Sequence, residues 1–259
     1  MAPSGAAGEN GALPLSRRDL LATWASAAGL LLAARLLSLV EPTGLLAANL
    51  GGVAALLFVW LPDRRLRARG EGWDSCGLPW WGALDRRTWA AWGRGAARAL
   101  AVAAVAFPLF ALGFAAFARA LPLLPPGLRS ALAPYELPPA FSPRLPPGLA
   151  LQAAIQLLVV ALPEEVLYRG FLQTSWRRAV PGRTVRVLGA DLGPGFLATQ
   201  ALFALGHLAT LQPWRLGTFF PGLLFGWLRE RSGDLAAPVV LHALSNLFLL
   251  ALEASFYGR

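Results

Sequence analysis

Two adjacent carboxylates, Glu164 and Glu165, follow Pro163 inside an otherwise apolar run. Arg169 stands four residues after Glu165, so these two share one helix face and can pair. Glu164 points about 100° away from Glu165 on a helix and is left free. The chain has 2 histidines, His207 and His242, and each lies in a long apolar stretch. Asn246 follows His242 at i+4 and faces the same way; Phe203 precedes His207 at the same spacing and reads as packing. A charged residue at the centre of a membrane helix costs roughly 2.5–3.5 kcal/mol on insertion scales, so its retention marks a candidate site. Taken singly, each residue has a plainer reading. The Glu pair could be a helix end snorkelling to the interface, and a buried His or Asn commonly bonds a neighbouring helix. Their joint occurrence points to one site.

The chemistry such a set supports is hydrolysis. Burial lifts a carboxyl toward the range of a general base, so Glu164 suits taking a proton from water. His207 can orient that water or protonate a leaving amine. His242 and Asn246 can donate hydrogen bonds to a developing oxyanion. Two His with one or two Glu are also acceptable zinc ligands, so a metal held by Glu164, His207 and His242 is the alternative. The H-E-x-x-H spacing is absent, and no Ser-His-Asp or Cys-His arrangement is present.

The elements that must position these residues are membrane helices. Of 259 residues, 56% are hydrophobic and 14% charged, against about 25% charged in soluble domains. One cysteine, Cys76, rules out a disulfide scaffold and a cysteine-based metal site. The net charge of +9 comes from 23 basic residues, all Arg. They cluster between apolar runs, and no basic patch interleaves with exposed aromatics, so nucleic acid is not an expected partner. Exclusive use of Arg, with abundant Ala, Gly and Pro, fits a GC-rich bacterial genome.

Hydropathy predicts an all-α polytopic membrane helix bundle of about 7–8 transmembrane helices. Residues 1–15 read as a disordered N-terminus. Residues 16–147 hold spans at about 20–40, 44–61 and 99–121, an interfacial segment at 62–98 marked by Trp80, Trp81, Trp89 and Trp92, and a Pro-rich extended loop at 122–147. The interfacial segment is also the place for an eighth helix. Residues 148–253 hold spans at about 148–168, 188–211, 216–228 and 235–253, the sixth being short for a bilayer. Gly193-Pro194-Gly195 predicts that the fifth helix proper starts near 195. No signal-peptide cleavage site is evident after Arg17-Arg18. With the N-terminus in the cytoplasm, sixteen arginines fall in inside loops and four outside. That bias predicts an integral protein of the bacterial inner membrane with a cytoplasmic N-terminus.

Glu164-Glu165-x-x-x-Arg169, Phe203-x-x-x-His207 and His242-x-x-x-Asn246, in this order on consecutive helices, resemble the CPBP intramembrane proteases, the CAAX-protease and bacteriocin-processing (Abi) family. Tyr168 and Gly170 beside the Arg add to the likeness. The resemblance covers about 148–250 and says little about 1–147. It implies an all-helical membrane endopeptidase with a cavity opening into the membrane. Glu164 would then activate water, Glu165 and Arg169 would be partly structural, and His207, His242 and Asn246 would complete the site. The family has been described both as metal-dependent and as glutamate-type without metal; the free Glu164 agrees better with the latter, with zinc as the alternative cofactor. The implied partners are the bilayer and a membrane-associated, lipidated or tagged peptide, cleaved near a C-terminal tail or sorting tag. The codon bias is compatible with the myxosortase branch without being evidence for it. Two other functions compete: a small transporter with a buried proton-coupled Glu/His site, and a bacteriocin-immunity or scaffold protein without turnover. Internal repeats would favour a transporter, and none is found; complete motifs argue against a protein without turnover.

Overall fold

The computed structural model describes residues 15–135 and 139–258; the reading of 1–15 as disordered lies, but for residue 15, outside them. The chain is an all-α bundle. Helix α1, Arg17–Leu37, starts at a capping box in which Ser16 and Asp19 satisfy each other's backbone N–H groups. The turn to α2, Leu45–Arg67, ends at Gly44, whose φ of 71° suits a residue without a Cβ. Only a single 3₁₀ turn, Trp73–Cys76, separates α2 from α3, Arg86–Ala120. The helix expected within the interfacial segment 62–98 is the start of α3. Trp89 and Trp92 belong to the first turns of a continuous 35-residue helix, and among the described residues the stretch holds no separate eighth helix. The 122–147 stretch also departs from a plain loop, because Pro126 opens a short helix α4, Pro126–Leu132. Proline is well placed there, since the first helical N–H has no partner to lose.

Helix α5, Leu149–Ala179, is 31 residues long and extends beyond the expected end at 168. It alternates between α and π geometry, with π stretches at Gln156–Ala161 and Val166–Gln173 on either side of Pro163-Glu164-Glu165. Pro163 has no N–H for the helical ladder, and the wider π turns accommodate the break. The start of the expected fifth span is a β-hairpin, β1 Val185–Val187 against β2 Ala190–Leu192 in antiparallel register. Its two-residue turn, Leu188-Gly189, has positive φ at both positions, the conformation tight hairpins need. Helix α6 then runs Pro194–Gly206, so the Gly-Pro-Gly start is where the sequence places it. Two 3₁₀ segments, His207–Thr210 and Pro213–Thr218, lead to α7, Phe219–Ser232, and α8, Ala236–Tyr257, closes the bundle.

Among the described residues there are therefore seven apolar helices, and 5 of them (α1, α2, α3, α5 and α8) are long and apolar enough to cross a membrane. Helices α6 and α7, with 13 and 14 residues, are shorter than the roughly 20 a bilayer needs. Large apolar side chains such as Leu56, Val105, Leu109, Leu112 and Leu158 lie exposed on the outside, as a lipid-facing surface requires. Lipid is as apolar as leucine, so close packing and polar contacts must specify the bundle. Helix α3 presents Ala91, Gly95, Ala99 and Ala103, buried at four-residue spacing; a Cβ on Gly95 would lie 2.5 Å from the Ala236 Cβ, so α3 and α8 touch backbone to backbone. Helix α5 is the centre, buried from Val166 to Gln173.

The segments between helices collect at two ends. At one end Arg178 Nη1 pairs with Glu71 at 3.2 Å, Arg177 pairs with Glu230 at 2.7 Å, and the Leu235 amide donates to Gly77 O at 2.9 Å. At the other, Tyr135 stacks on Tyr257 with ring centroids 4.0 Å apart and donates to Glu253 at 2.6 Å. These two ends are the two ends of α8.

Candidate active site

Helices α5 and α8 run antiparallel and meet at His242, whose Nδ1 donates to Glu165 Oε1 at 2.8 Å. The same oxygen accepts from Arg169 Nη1 at 2.9 Å, with both of those side chains fully buried. The Arg169 guanidinium is also held by Gln200 Oε1 at 2.8 Å and Gly222 O at 3.1 Å, and lies 4.2 Å from the Phe203 ring centroid. A buried ion pair needs such additional partners, because desolvation offsets much of its Coulombic attraction.

Glu164 reaches the other nitrogen of the His242 ring. Its Oε2 lies 3.9 Å from His207 Nε2 and 3.8 Å from His242 Nε2. His207 sits on the 3₁₀ turn that ends α6, and its Nδ1 is 2.8 Å from Phe203 O. A carbonyl has no proton to give, so His207 Nδ1 must be the donor. The ionised Glu165 fixes the same tautomer in His242. An imidazole that donates its ring proton at Nδ1 carries a lone pair at Nε2, and both rings turn that atom toward Glu164. Glu164 Oε2 is buried without a protein hydrogen-bond partner. Three potential acceptors thus converge, Glu164 Oε2 and the two Nε2 atoms.

Aromatic rings fix the imidazoles. Phe225 stacks on His242 with centroids 4.7 Å apart and planes at 15°, and Phe203 meets His207 edge-on at 4.7 Å. Phe203, read from sequence as packing, contacts Tyr168, His207, His242 and Arg169.

The structure brings together Glu164, Glu165, Arg169, Phe203, His207 and His242. It places Asn246 one turn away on α8, donating to Gln156 Oε1 at 2.8 Å. Sequence reasoning missed Gln156, Phe225 and the buried pair Gln173 and Gln200. A signal was present: the chain has no glutamine before residue 152, then Gln156, Gln173 and Gln200 within otherwise apolar helices.

As a zinc site, the donor types fit: two imidazoles with bare Nε2 atoms, each held through Nδ1 as metal-binding histidines usually are, and a free carboxylate oxygen. The separations fit less well. Zn–N bonds of about 2.0–2.1 Å in tetrahedral geometry put ligands roughly 3.3–3.4 Å apart, against 3.8 and 3.9 Å here. Among the described residues no group of three His, Cys, Asp or Glu is arranged to hold a metal ion.

Residues 146–248 match the model of the family described as type II CAAX prenyl endopeptidase Rce1-like. No curated protein and no solved structure matched the chain.

Proposed function

Because residues 146–248 are a domain of the CPBP/CAAX-protease family, and that family consists of membrane proteases, we propose that this protein hydrolyses peptide bonds of membrane-associated substrates with a water activated by Glu164. The observation that carries the reading is the convergence of Glu164 Oε2 with the two Nε2 atoms at 3.8 and 3.9 Å. A water between them gives one proton to Glu164 and one hydrogen bond to His207 Nε2. Its oxygen attacks the scissile carbonyl carbon as Glu164 takes the proton. The second N–H of the Asn246 amide donates to the oxyanion, and His242, backed by the Glu165 carboxylate, keeps its Nε2 lone pair turned toward the water. The tetrahedral intermediate collapses with C–N cleavage, and Glu164 passes its proton to the leaving amine.

A zinc ion would be held by Glu164, His207 and His242 and would supply a water of lowered pKa; the wide separations favour the metal-free reading. The substrate is a lipidated or tagged peptide cut near its C-terminal tail, because the site is walled by helices whose outer faces are apolar. The basic residues of 64–69, 177–186 and 229–231 gather at one end of the bundle, which we place in the cytoplasm of a bacterial inner membrane with the N-terminus. Helices α6 and α7 leave from and return to that end, so the orientation does not depend on their crossing the bilayer fully.

The test is cleavage of membrane-anchored peptides by the purified protein, with and without chelator. We expect turnover that survives chelation and falls about 10²–10⁴-fold in Glu164→Gln, the usual worth of a general base. Inactivation by chelation with recovery on added zinc would replace the metal-free mechanism, and full activity of Glu164→Gln would remove Glu164 from it.

A further inference from the structure

The Glu165–Arg169 pair is not the end of the buried polar chain. Arg169 Nη2 donates to Gln200 Oε1 at 2.8 Å. Gln200 Nε2 donates to Gln173 Oε1 at 3.1 Å and to Phe196 O at 3.1 Å. Gln173 Nε2 donates to Gly226 O at 3.0 Å and to Glu230 Oε1 at 2.9 Å, and Glu230 Oε2 accepts from Arg177 at 2.7 Å. Gln200 is 0% exposed and Gln173 1%. The chain thus runs from the His242 imidazole to the charged end of the bundle, through α5, α6 and α7. Every amide orientation in it is forced. Arg169 has only donors, so Gln200 must turn its oxygen there and its NH₂ toward Gln173.

The α7 backbone leaves room for this arrangement. A Cβ on Gly222 would lie 3.2 Å from Arg169 Nη2 and 3.1 Å from a Phe203 ring carbon. One on Gly226 would lie 2.9 Å from Gln173 Oε1. Glycines let α7 sit against the polar chain, so its carbonyls can accept from Arg169 and Gln173.

We propose that Gln200 is a positioning residue for His242, acting through Arg169 and Glu165. Arg169 would otherwise have rotational freedom about its long side chain, with Nη2 held only by Gly222 O. Gln200 fixes the guanidinium plane, the plane fixes the Glu165 carboxylate, and that carboxylate holds His242 Nδ1–H so that Nε2 faces Glu164. Gln173 acts one step further out, orienting Gln200.

The kinetic consequence rests on the proteolytic reading above; the effect on the imidazole does not. The experiment uses the full-length protein in lipid nanodiscs with ¹⁵N-labelled histidine. Its two histidines are assigned with a His207→Ala reference. Wild type should show His242 as a single species with its proton on Nδ1. Gln200→Met keeps the volume and removes both hydrogen-bonding groups. It should give a mixture of His242 tautomers, with kcat lower by about 10–100-fold, the usual effect of losing a residue that orients a site imidazole, and KM changed less than about twofold. Gln173→Met should shift the same signal less and cost only a few-fold in kcat. An unchanged His242 signal in folded Gln200→Met overturns the proposal, as does a larger effect from Gln173→Met. If Gln200→Met does not fold, Gln173→Met decides: the wild-type signal in it also overturns the proposal. If wild type cleaves no peptide, the proteolytic reading fails, and the His242 signal still decides the positioning role.

Discussion

Removal of Arg169 isolates the energetics of the buried site. Arg169→Met keeps most of the volume but takes from Glu165 its nearest cation, 2.9 Å away and fully buried with it. It also leaves Gln200 Oε1 without its Arg169 donor and removes the extra bond to Gly222 O, which keeps its helical partner. Breaking a buried pair by removing one partner costs about 3–5 kcal/mol, and the orphaned acceptor adds roughly 1–3 kcal/mol where nothing replaces its donor. The charge term alone lowers the folded-to-unfolded ratio about 10²–10⁴-fold at 1.4 kcal/mol per factor of ten. The assay is unfolding in mixed micelles followed by tryptophan fluorescence. The control is the double variant Glu165→Gln/Arg169→Met, which removes both charges. Contacting residues couple by about 0.5–3 kcal/mol, and here the coupling should lie in the upper half, so the double variant is more stable than Arg169→Met alone. Wild-type stability of Arg169→Met, or a double variant no better than the single one, would refute the argument that the cost comes from an uncompensated buried charge.

Three further outcomes are expected. Glu164→Gln should unfold like wild type within about 0.5 kcal/mol, because its Oε2 makes no protein hydrogen bond; a large destabilisation would mean that Glu164 is structural. Burial pushes the Cys76 thiol up to about 11 from 9.0, so its thiolate fraction at pH 8 falls roughly 100-fold. Maleimide labelling of native protein should accordingly be slow and should speed up on denaturation, and fast native labelling would contradict the burial. On a Cys76-free background, Asp191→Cys should label from the cytoplasm and Ser130→Cys from outside, since both positions are exposed and lie at opposite ends of α8; the reverse pattern would invert the proposed orientation.

The titratable part of the site was legible in the chain because charge inside an apolar helix has few other uses. Glu164, Glu165, Arg169, His207 and His242 stand out in sequence and meet in space. The start of α6 was legible for a different reason, Gly193-Pro194-Gly195 being an unambiguous break. The glutamines stood out in apolar helices, but their pairing was not legible: Gln200 carries no charge, and its partners Arg169 and Gln173 lie 31 and 27 residues away, a pairing no spacing rule reveals. Asn246 was paired in sequence with His242 by periodicity, whereas Gln156 on the antiparallel α5 takes its amide. Hydropathy averaging also began the fifth span at about 188, inside what is a short hairpin, Val185–Val187 against Ala190–Leu192. The first turns of α3 carry tryptophans and arginines, so composition did not show that they continue the helix of the third span.

Helices α6 and α7 carry a consequence for the lipid itself. Thirteen residues rise about 20 Å, some 10 Å less than the roughly 30 Å hydrocarbon core. Both helices face outward with Leu197, Leu205, Phe220 and Leu224 exposed, so the mismatch falls on lipid rather than on protein. A bilayer meets a short apolar segment by thinning beside it. We expect such thinning where α6 ends at His207 and the following turn carries Arg215. We expect headgroups and their hydration to reach closer to the level of the imidazole there, shortening the path of water to the site.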